Sequence, residues 1–220
     1  MSPLRLAVTA LVLLCFGACA SPPAWSVDDD GSVLTTADAR YRTRIPAGLK
    51  AFYMAFDDVR LCGPVSVKQT WLEPPRAPEY VQMPDVIHIE SFPARDFLTE
   101  LGFDADADVT PFALAERWIA AKRKAERWHG SYVRLAPPQI DVLAQDPATI
   151  AGMPAFRLHW TEREANGLCI AHLTYGVRLD ERIFFFERRA PALVYFERFV
   201  PAFEQLVAEF KSVGRDAAER

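Results

Sequence analysis

Apolar residues along this chain change their spacing several times, and each change marks a predicted element. Directly after a lone Arg5 comes an unbroken apolar run, Leu6 to Phe16. As a helix those residues would reach only about 16 Å, roughly half a bilayer core. A basic start, a short apolar stretch and the small residues Gly17, Ala18 and Ala20 have the layout of a secretory signal, not of a retained span. Residues 19–38 mix Pro, Ser, Asp and Gly without a period and read as a flexible tether. Alternation over Tyr41–Ile45, Val65–Trp71 and Val86–Phe92 predicts three short strands. Residues 94–101 predict a short helix ending at Gly102.

From Pro111 the period becomes helical. Thr110 is placed to cap, Pro111 suits a first helical position, and Leu114, Trp118, Ala121, Ala125 and Trp128 fall on one stripe. Arg117, Lys122, Arg123, Lys124 and Arg127 take the other side. That basic face reads as solvated; the competing reading sets it on anionic lipid headgroups. Next, Ile140–Arg189 alternates as an antiparallel meander, with Gly152-Met153 at one turn and Asn166-Gly167 as a two-residue hairpin signal. Closing that hairpin on Ala165 and Leu168 sets Phe156 opposite Val177, Leu158 opposite Tyr175 and Trp160 opposite Leu173. Arg182–Glu187 is the last strand and adds Phe184 and Phe186 to the apolar side. A helix with Phe196, Phe199, Val200, Phe203, Leu206, Val207 and Phe210 at 3–4 spacing closes the domain, and Pro201 kinks or splits it. Strands bracketed by helices make an α+β domain.

Composition narrows the function classes. The 220 residues carry 25 Lys+Arg against 29 Asp+Glu, a net charge of −4, so no nucleic-acid partner is expected. Half the residues are hydrophobic, which excludes a disordered chain. Four cysteines are too few for a disulfide scaffold. Cys15 leaves with the signal. After export Cys62 and Cys169 either pair across a loop of roughly a hundred residues or remain separate buried thiols, and both readings stand at this point.

Two resemblances add to these readings. Phe16-Gly17-Ala18-Cys19 resembles a bacterial lipobox, with Phe16 where the motif usually carries Leu. The resemblance implies lipidation of Cys19 and stable anchoring through more than one acyl chain. Ala20 after the cysteine implies, by the same likeness, the outer membrane with the domain facing the periplasm. Farther on, Thr149-Ile-Ala-Gly-Met-Pro-Ala155 leads into the long hairpin, and Ala190-Pro191 precedes a helix with Phe203-Glu204, Val207 and Phe210-Lys211. This arrangement resembles the Mog1/PsbP-like superfamily over roughly residues 108–213. It implies an antiparallel sheet flanked by helices, an α/β/α sandwich, with an accessory or protein-binding role. No catalytic residue comes with it, because the shared pattern consists of turns and packing positions. The expected layout is a signal peptide over 1–18, a tether over 19–38, one domain over 39–213 and a polar tail over 214–220.

Candidate chemistry is sparse. The histidines are His88, His129, His159 and His172. Zinc needs three or four converging ligands. In the expected register His159 and His172 share one sheet face while Cys169, Glu162 and Glu164 take the other, so no metal site is predicted. Asp104, Asp106 and Asp108 alternate like the opening of a calcium loop, but Val109 and Ala115 stand where its Gly and Glu belong. These aspartates suit the N-terminus of the following helix. No GxSxG, P-loop, GxGxxG or HExxH occurs, and neither a catalytic residue nor a cofactor is expected. The resulting expectation is a lipid-anchored, non-catalytic envelope protein. It meets the membrane through its lipid and an envelope protein through Trp71, Tyr80 and Trp128. The alternative is a small-ligand or lipid binder with a cleft between sheet and helices, lined by Phe184, Phe186, Phe203 and Phe210.

Overall fold

The computed structural model describes residues 25–55, 58–62, 86–133, 137–165, 167–192 and 196–213. The chain is already folded at its first described residue. Strands β1 (Trp25–Val27), β2 (Val33–Thr36) and β3 (Tyr41–Arg44) run antiparallel, and β11 (Lys211–Ser212) completes a four-stranded sheet in the order β1-β2-β3-β11. The tether expected over 19–38 is therefore corrected from Trp25 onward. The Trp25 indole is 1% exposed and meets Phe184 edge-on at 6.1 Å. Between β1 and β2 the Asp28 carboxylate accepts from the backbone N–H of Ser32 and of Val33 at 2.7 and 2.8 Å, closing the turn. A polar segment thus holds two core residues, Trp25 and Leu34, whose spacing is set by that turn and by no helix or strand period.

The larger sheet has seven antiparallel strands: β4 (Lys50–Ala55), β5 (Asp58–Cys62), β6 (Val86–Pro93), β7 (Gln139–Ile150), β8 (Met153–Arg163), β9 (Cys169–Leu179) and β10 (Arg182–Pro191). They lie in the order β4-β5-β6-β10-β9-β8-β7. Helices α1 (Ala94–Glu100) and α2 (Pro111–Val133) cover one face. The small sheet and α3 (Val200–Ala208) cover the other. The protein is accordingly an α+β fold with an antiparallel sheet flanked by helices. The strand expected at Val65–Trp71 and the tail 214–220 lie outside the described residues.

Burial on both faces follows from β10, where Phe184 and Phe186 point one way and Ile183 and Phe185 the other, all fully buried. On the small-sheet side Phe210 meets Phe184 at 5.1 Å and Phe186 at 4.9 Å, while Phe203 packs on Tyr175 at 5.8 Å. Phe184, Phe186, Phe203 and Phe210 thus fill the space that the ligand-cleft alternative assigned to a ligand; that lining is corrected to core. On the helical side Trp118 stacks on Phe185 at 5.3 Å and meets Trp160 edge-on at 5.9 Å.

Helix α2 starts where expected, with Thr110 Oγ1 accepting from the Ala113 N–H at 3.3 Å. Its buried stripe is Leu114, Ala115, Trp118 and Ile119, whereas Ala121 is exposed. The expected stripe therefore turns by about one residue after Trp118, because the sheet surface beneath the next turn is polar. The terminal helix is split, as Pro201 permits: a 3-10 turn (Glu197–Phe199) precedes α3, and Pro201 sits in the first turn of α3 where its missing N–H costs nothing.

The β8–β9 hairpin departs from expectation by one residue. Glu164 N–H bonds Leu168 O at 2.8 Å, and Gly167 adopts φ +88°, so the loop has three residues instead of two. Phe156 consequently faces Gly176, Leu158 faces Thr174 and Trp160 faces His172. A one-residue slip exchanges the faces of a whole strand relative to its neighbour. His159 and His172, expected together, lie on opposite faces. His159 stacks on Phe196, and His172 lies under α2.

The same topology separates Cys62 from Cys169. Cys169 opens β9 opposite Arg163 and is a free thiol. Cys62 ends β5, and β6 and β10 stand between the two strands. Three strand spacings amount to about 14 Å, twice the Cα separation a disulfide tolerates.

Candidate functional site

Between β8, β9, β10 and α2 lies a band of charge inside an otherwise apolar layer. Register places it: Glu187 of β10 pairs with Thr174 of β9 and His88 of β6, and His172 pairs with Arg189 and Trp160. His172 Nδ1 is 3.3 Å from Glu187 Oε1, and its Nε2 is 3.5 Å from Glu162 Oε2. Each ring nitrogen therefore has a carboxylate oxygen beside it. The imidazole lies flat on the Trp160 indole, centroids 3.6 Å apart. Trp160 Nε1–H donates to Thr174 Oγ1 at 3.0 Å, and that hydroxyl donates to Glu187 Oε2 at 3.4 Å.

Burial pushes the Glu187 carboxyl upward, but the Lys122 ammonium, His172 and Arg189 outweigh it and hold the group well below the usual carboxylate range. Lys122 comes from α2 and lies over the Trp118 ring at 5.0 Å, and Arg123 of the same helix donates to Ile140 O at 3.1 Å. Two residues of the basic face expected to be solvated are thus engaged by the domain itself. His172 is 2% exposed and Glu187 6%. A histidine–carboxylate pair with a neighbouring hydroxyl has the composition of acid–base machinery. Here the hydroxyl is occupied by Trp160 and Glu187, and one face of the ring is covered by the indole. The arrangement keeps a charged carboxylate inside the layer between the sheet and α2.

Two open clefts lie on the surface of the described residues. One, of about 590 Å³, runs between the α1–α2 loop and the ends of β8 and β9, with Asp106, Asp108, Pro111, Met153, Arg178 and Asp180 around it. Arg178 is engaged there, donating to Ala107 O at 2.7 Å. The other, of about 490 Å³, lies on the small sheet beside α3, among Arg42, Arg44, Glu209 and Lys211. Apolar side chains stand exposed along the outer edge of the large sheet: Leu143 at 56%, Val142 and, at the start of α2, Phe112. Leu143 is the extra residue of a bulge in β7, where Val142 pairs with Trp160 and Ala144 with His159.

The residues singled out from sequence are distributed as follows. Trp71, Tyr80 and Cys19 lie outside the described residues, and only the backbone of Trp128 is described, within α2. Asp106 and Asp108 line the first cleft near the start of α2, and among the described residues no group of three metal-ligating side chains converges. Glu187, Thr174 and Arg189 were not singled out from sequence, and Lys122 only as part of the basic face of α2. The signal existed: with the three-residue loop, Trp160, His172 and Arg189 fall in one row across three strands.

No family model matches the chain, and no curated protein does. Solved structures do. The Ran-binding protein Mog1p of Saccharomyces cerevisiae superposes with a TM-score of 0.50 at 11% identity, over 87% of this chain and 98% of that one. Cyanobacterial PsbP (CyanoP) of Synechocystis sp. PCC 6803 does so with a TM-score of 0.50 at 10% identity, over 83% and 93%. The chain has the Mog1/PsbP-like fold, and at these identities the likeness is one of fold.

Proposed function

We propose that this chain is a lipid-anchored envelope protein whose domain binds a protein partner without doing chemistry on it. The observation that carries the reading is the sealed ionic band. The buried cluster of Glu187, His172 and Thr174 is turned inward, with the Trp160 indole stacked on its imidazole. Surface features are left to do the recognising. The fold is that of a protein named for binding Ran, which supports a binding role for the architecture. Arg5, the Leu6–Phe16 run and Cys19 support export and anchoring, with the outer membrane as the destination. Among the described residues no helix is long and apolar enough to cross a membrane.

The surface offered is the outer edge of the large sheet, where Leu143, Val142 and Phe112 are exposed; Trp71, Tyr80 and Trp128 are the further contacts proposed from the sequence. Partner interfaces gather energy from a few such side chains. The test is cross-linking of the full-length protein in intact cells, with Cys19→Ala and Leu143→Glu beside it. The expected result is one envelope protein in near-stoichiometric amount, lost in both variants while the fold persists. Recovery of the chain alone would overturn the reading.

A further inference from the structure

We infer that the cleft between the α1–α2 loop and the ends of β8 and β9 receives a basic segment of the partner protein, a lysine or arginine side chain with apolar neighbours. The inference deepens the protein-binding reading and rests on it. It starts from how the cleft is built. Ala151-Gly152 joins β7 to β8 and Asp180-Glu181 joins β9 to β10, and because Ala155 pairs with Val177 both turns stand at one border of the large sheet. Ala151 and Asp180 each hold φ +52°, a backbone that a side-chain-bearing residue keeps only where its surroundings fix it. The facing wall is also pinned: Arg178 donates to Ala107 O at 2.7 Å, and Thr110 caps α2. A space of about 590 Å³ thus lies between two rigid walls.

Its floor and rim differ in chemistry. Val109, Leu114 and Pro154 make an apolar floor, and Met153 beside them is 36% exposed. The rim is acidic, with Asp106 and Asp108 on one wall and Asp180 on the other. The segments that build this border, 94–110 and 176–182, carry seven carboxylates against three guanidinium groups. Those three are already engaged. Arg178 holds the loop, and Arg182 donates to Ser91 Oγ at 2.7 Å. Arg95 lies 4.0 Å from Asp106 with both side chains in water, a contact of little worth. The Tyr41 hydroxyl donates to Asp180 at 2.6 Å, but a neutral donor leaves the carboxylate its charge. The α2 dipole offsets only about half an elementary charge, so the rim stays negative.

A lysine or arginine matches both parts, its aliphatic stem on Met153 and Pro154 and its cationic head at the rim. An acidic segment would be repelled, and a wholly apolar one would desolvate the carboxylates without pairing them. The cleft also continues the surface already offered to the partner. Phe112, 41% exposed, follows Pro111 of the cleft wall, and its carbonyl accepts from Gln145 of β7 at 3.4 Å. A segment that grips Leu143 therefore passes Phe112 and enters the cleft.

The test offers a random nonapeptide library to the purified protein. Selected peptides should carry Lys or Arg beside an apolar residue. Their affinity should fall about tenfold in D106K/D108K, the size expected for reversing two surface charge contacts, and by less in the milder D106N/D108N. Both aspartates are exposed, so circular dichroism of each variant should match wild type. Selection without basic residues, or an affinity unchanged in D106K/D108K, would overturn the inference. Cross-linking in intact cells separates it from the reading beneath it. A partner lost in Leu143→Glu but kept in D106K/D108K removes the cleft and leaves the partner. Basic peptides selected by the cleft, with no partner recovered from cells, remove the partner and leave the chemistry of the cleft.

Discussion

The two faces of the seven-stranded sheet are built from alternate residues of the same strands, yet they solve burial differently. Toward the small sheet and α3 an aromatic core dominates: Phe184, Phe186, Phe203 and Phe210 interlock, and polar groups join it singly, the Tyr41 hydroxyl donating to Asp180 Oδ2 at 2.6 Å, Arg157 pairing with Glu204 of α3 at 3.4 Å and the buried Arg188 guanidinium lying over the Phe199 ring at 5.5 Å. Toward α2 the aromatic packing of Trp118, Phe185 and Trp160 runs into a buried set of charges centred on Glu187. Apolar packing tolerates any pH but no lost volume. A buried ion set tolerates modest volume change but not the loss of one partner, because the remaining charges are then uncompensated. The same strands thus carry two different vulnerabilities, divided by residue parity.

The largest expected effect breaks the apolar face. Phe184→Ala should cost about 4 kcal/mol, since the ring is fully buried and its aromatic neighbours cannot collapse into the void. Urea unfolding should give the same loss at neutral and mildly acidic pH. Glu187→Gln should cost about 3 kcal/mol near neutrality by leaving Lys122, His172 and Arg189 without their counter-charge. Its signature is in pH. The folded carboxyl is held below its ordinary value of 4.5, so its stabilisation is complete above that value and drains away as pH falls below it. The difference between wild type and Glu187→Gln should shrink on acidification; a constant difference would show that the carboxylate charge is not what matters.

Smaller effects sharpen the contrast. Gly176→Ala places a Cβ against Cε1 and Cζ of Phe156, a ring with no room to retreat, and should cost about 2 kcal/mol. Its melting temperature should fall while Thr174→Ser, on the same strand, leaves packing intact. Tyr41→Phe should cost about 1.5 kcal/mol through the lost hydrogen bond to Asp180. Burial, that hydrogen bond and the Asp180 charge raise the Tyr41 phenol above its ordinary value of 10. Wild-type stability should therefore decline as pH climbs past about 10, and Tyr41→Phe should remove part of that alkaline slope. The α2 face is thus expected to fail in acid and the small-sheet face in alkali.

Much of this architecture was legible in residue spacing. The helix from Pro111, the strand at Val86, the short helix before Gly102 and the division at Pro201 all announce themselves by period and punctuation. Two things did not. Trp25 and Leu34 belong to strands of three and four residues, too short for alternation to register, and their pairing depends on Asp28 closing a turn. Asn166-Gly167 satisfies a two-residue turn as well as a three-residue one, and only the bond between Glu164 and Leu168 decides. That single step hid the ionic band, because it paired Trp160 with Leu173 instead of His172. Sites assembled across strands inherit every register error, whereas elements defined by neighbours in sequence do not.

Strand β7 forms one boundary of the large sheet and is twelve residues long, ample to template a strand from another molecule. It is broken twice. The bulge at Leu143 throws the hydrogen-bond ladder out of step, and Pro147 removes a donor only a few residues later. What remains are stretches too short to zip onto a neighbour. Two copies of the chain meeting edge to edge here would find no unbroken ladder to extend. It also dictates how anything else attaches there: by gripping the side chain of Leu143, never by extending the sheet.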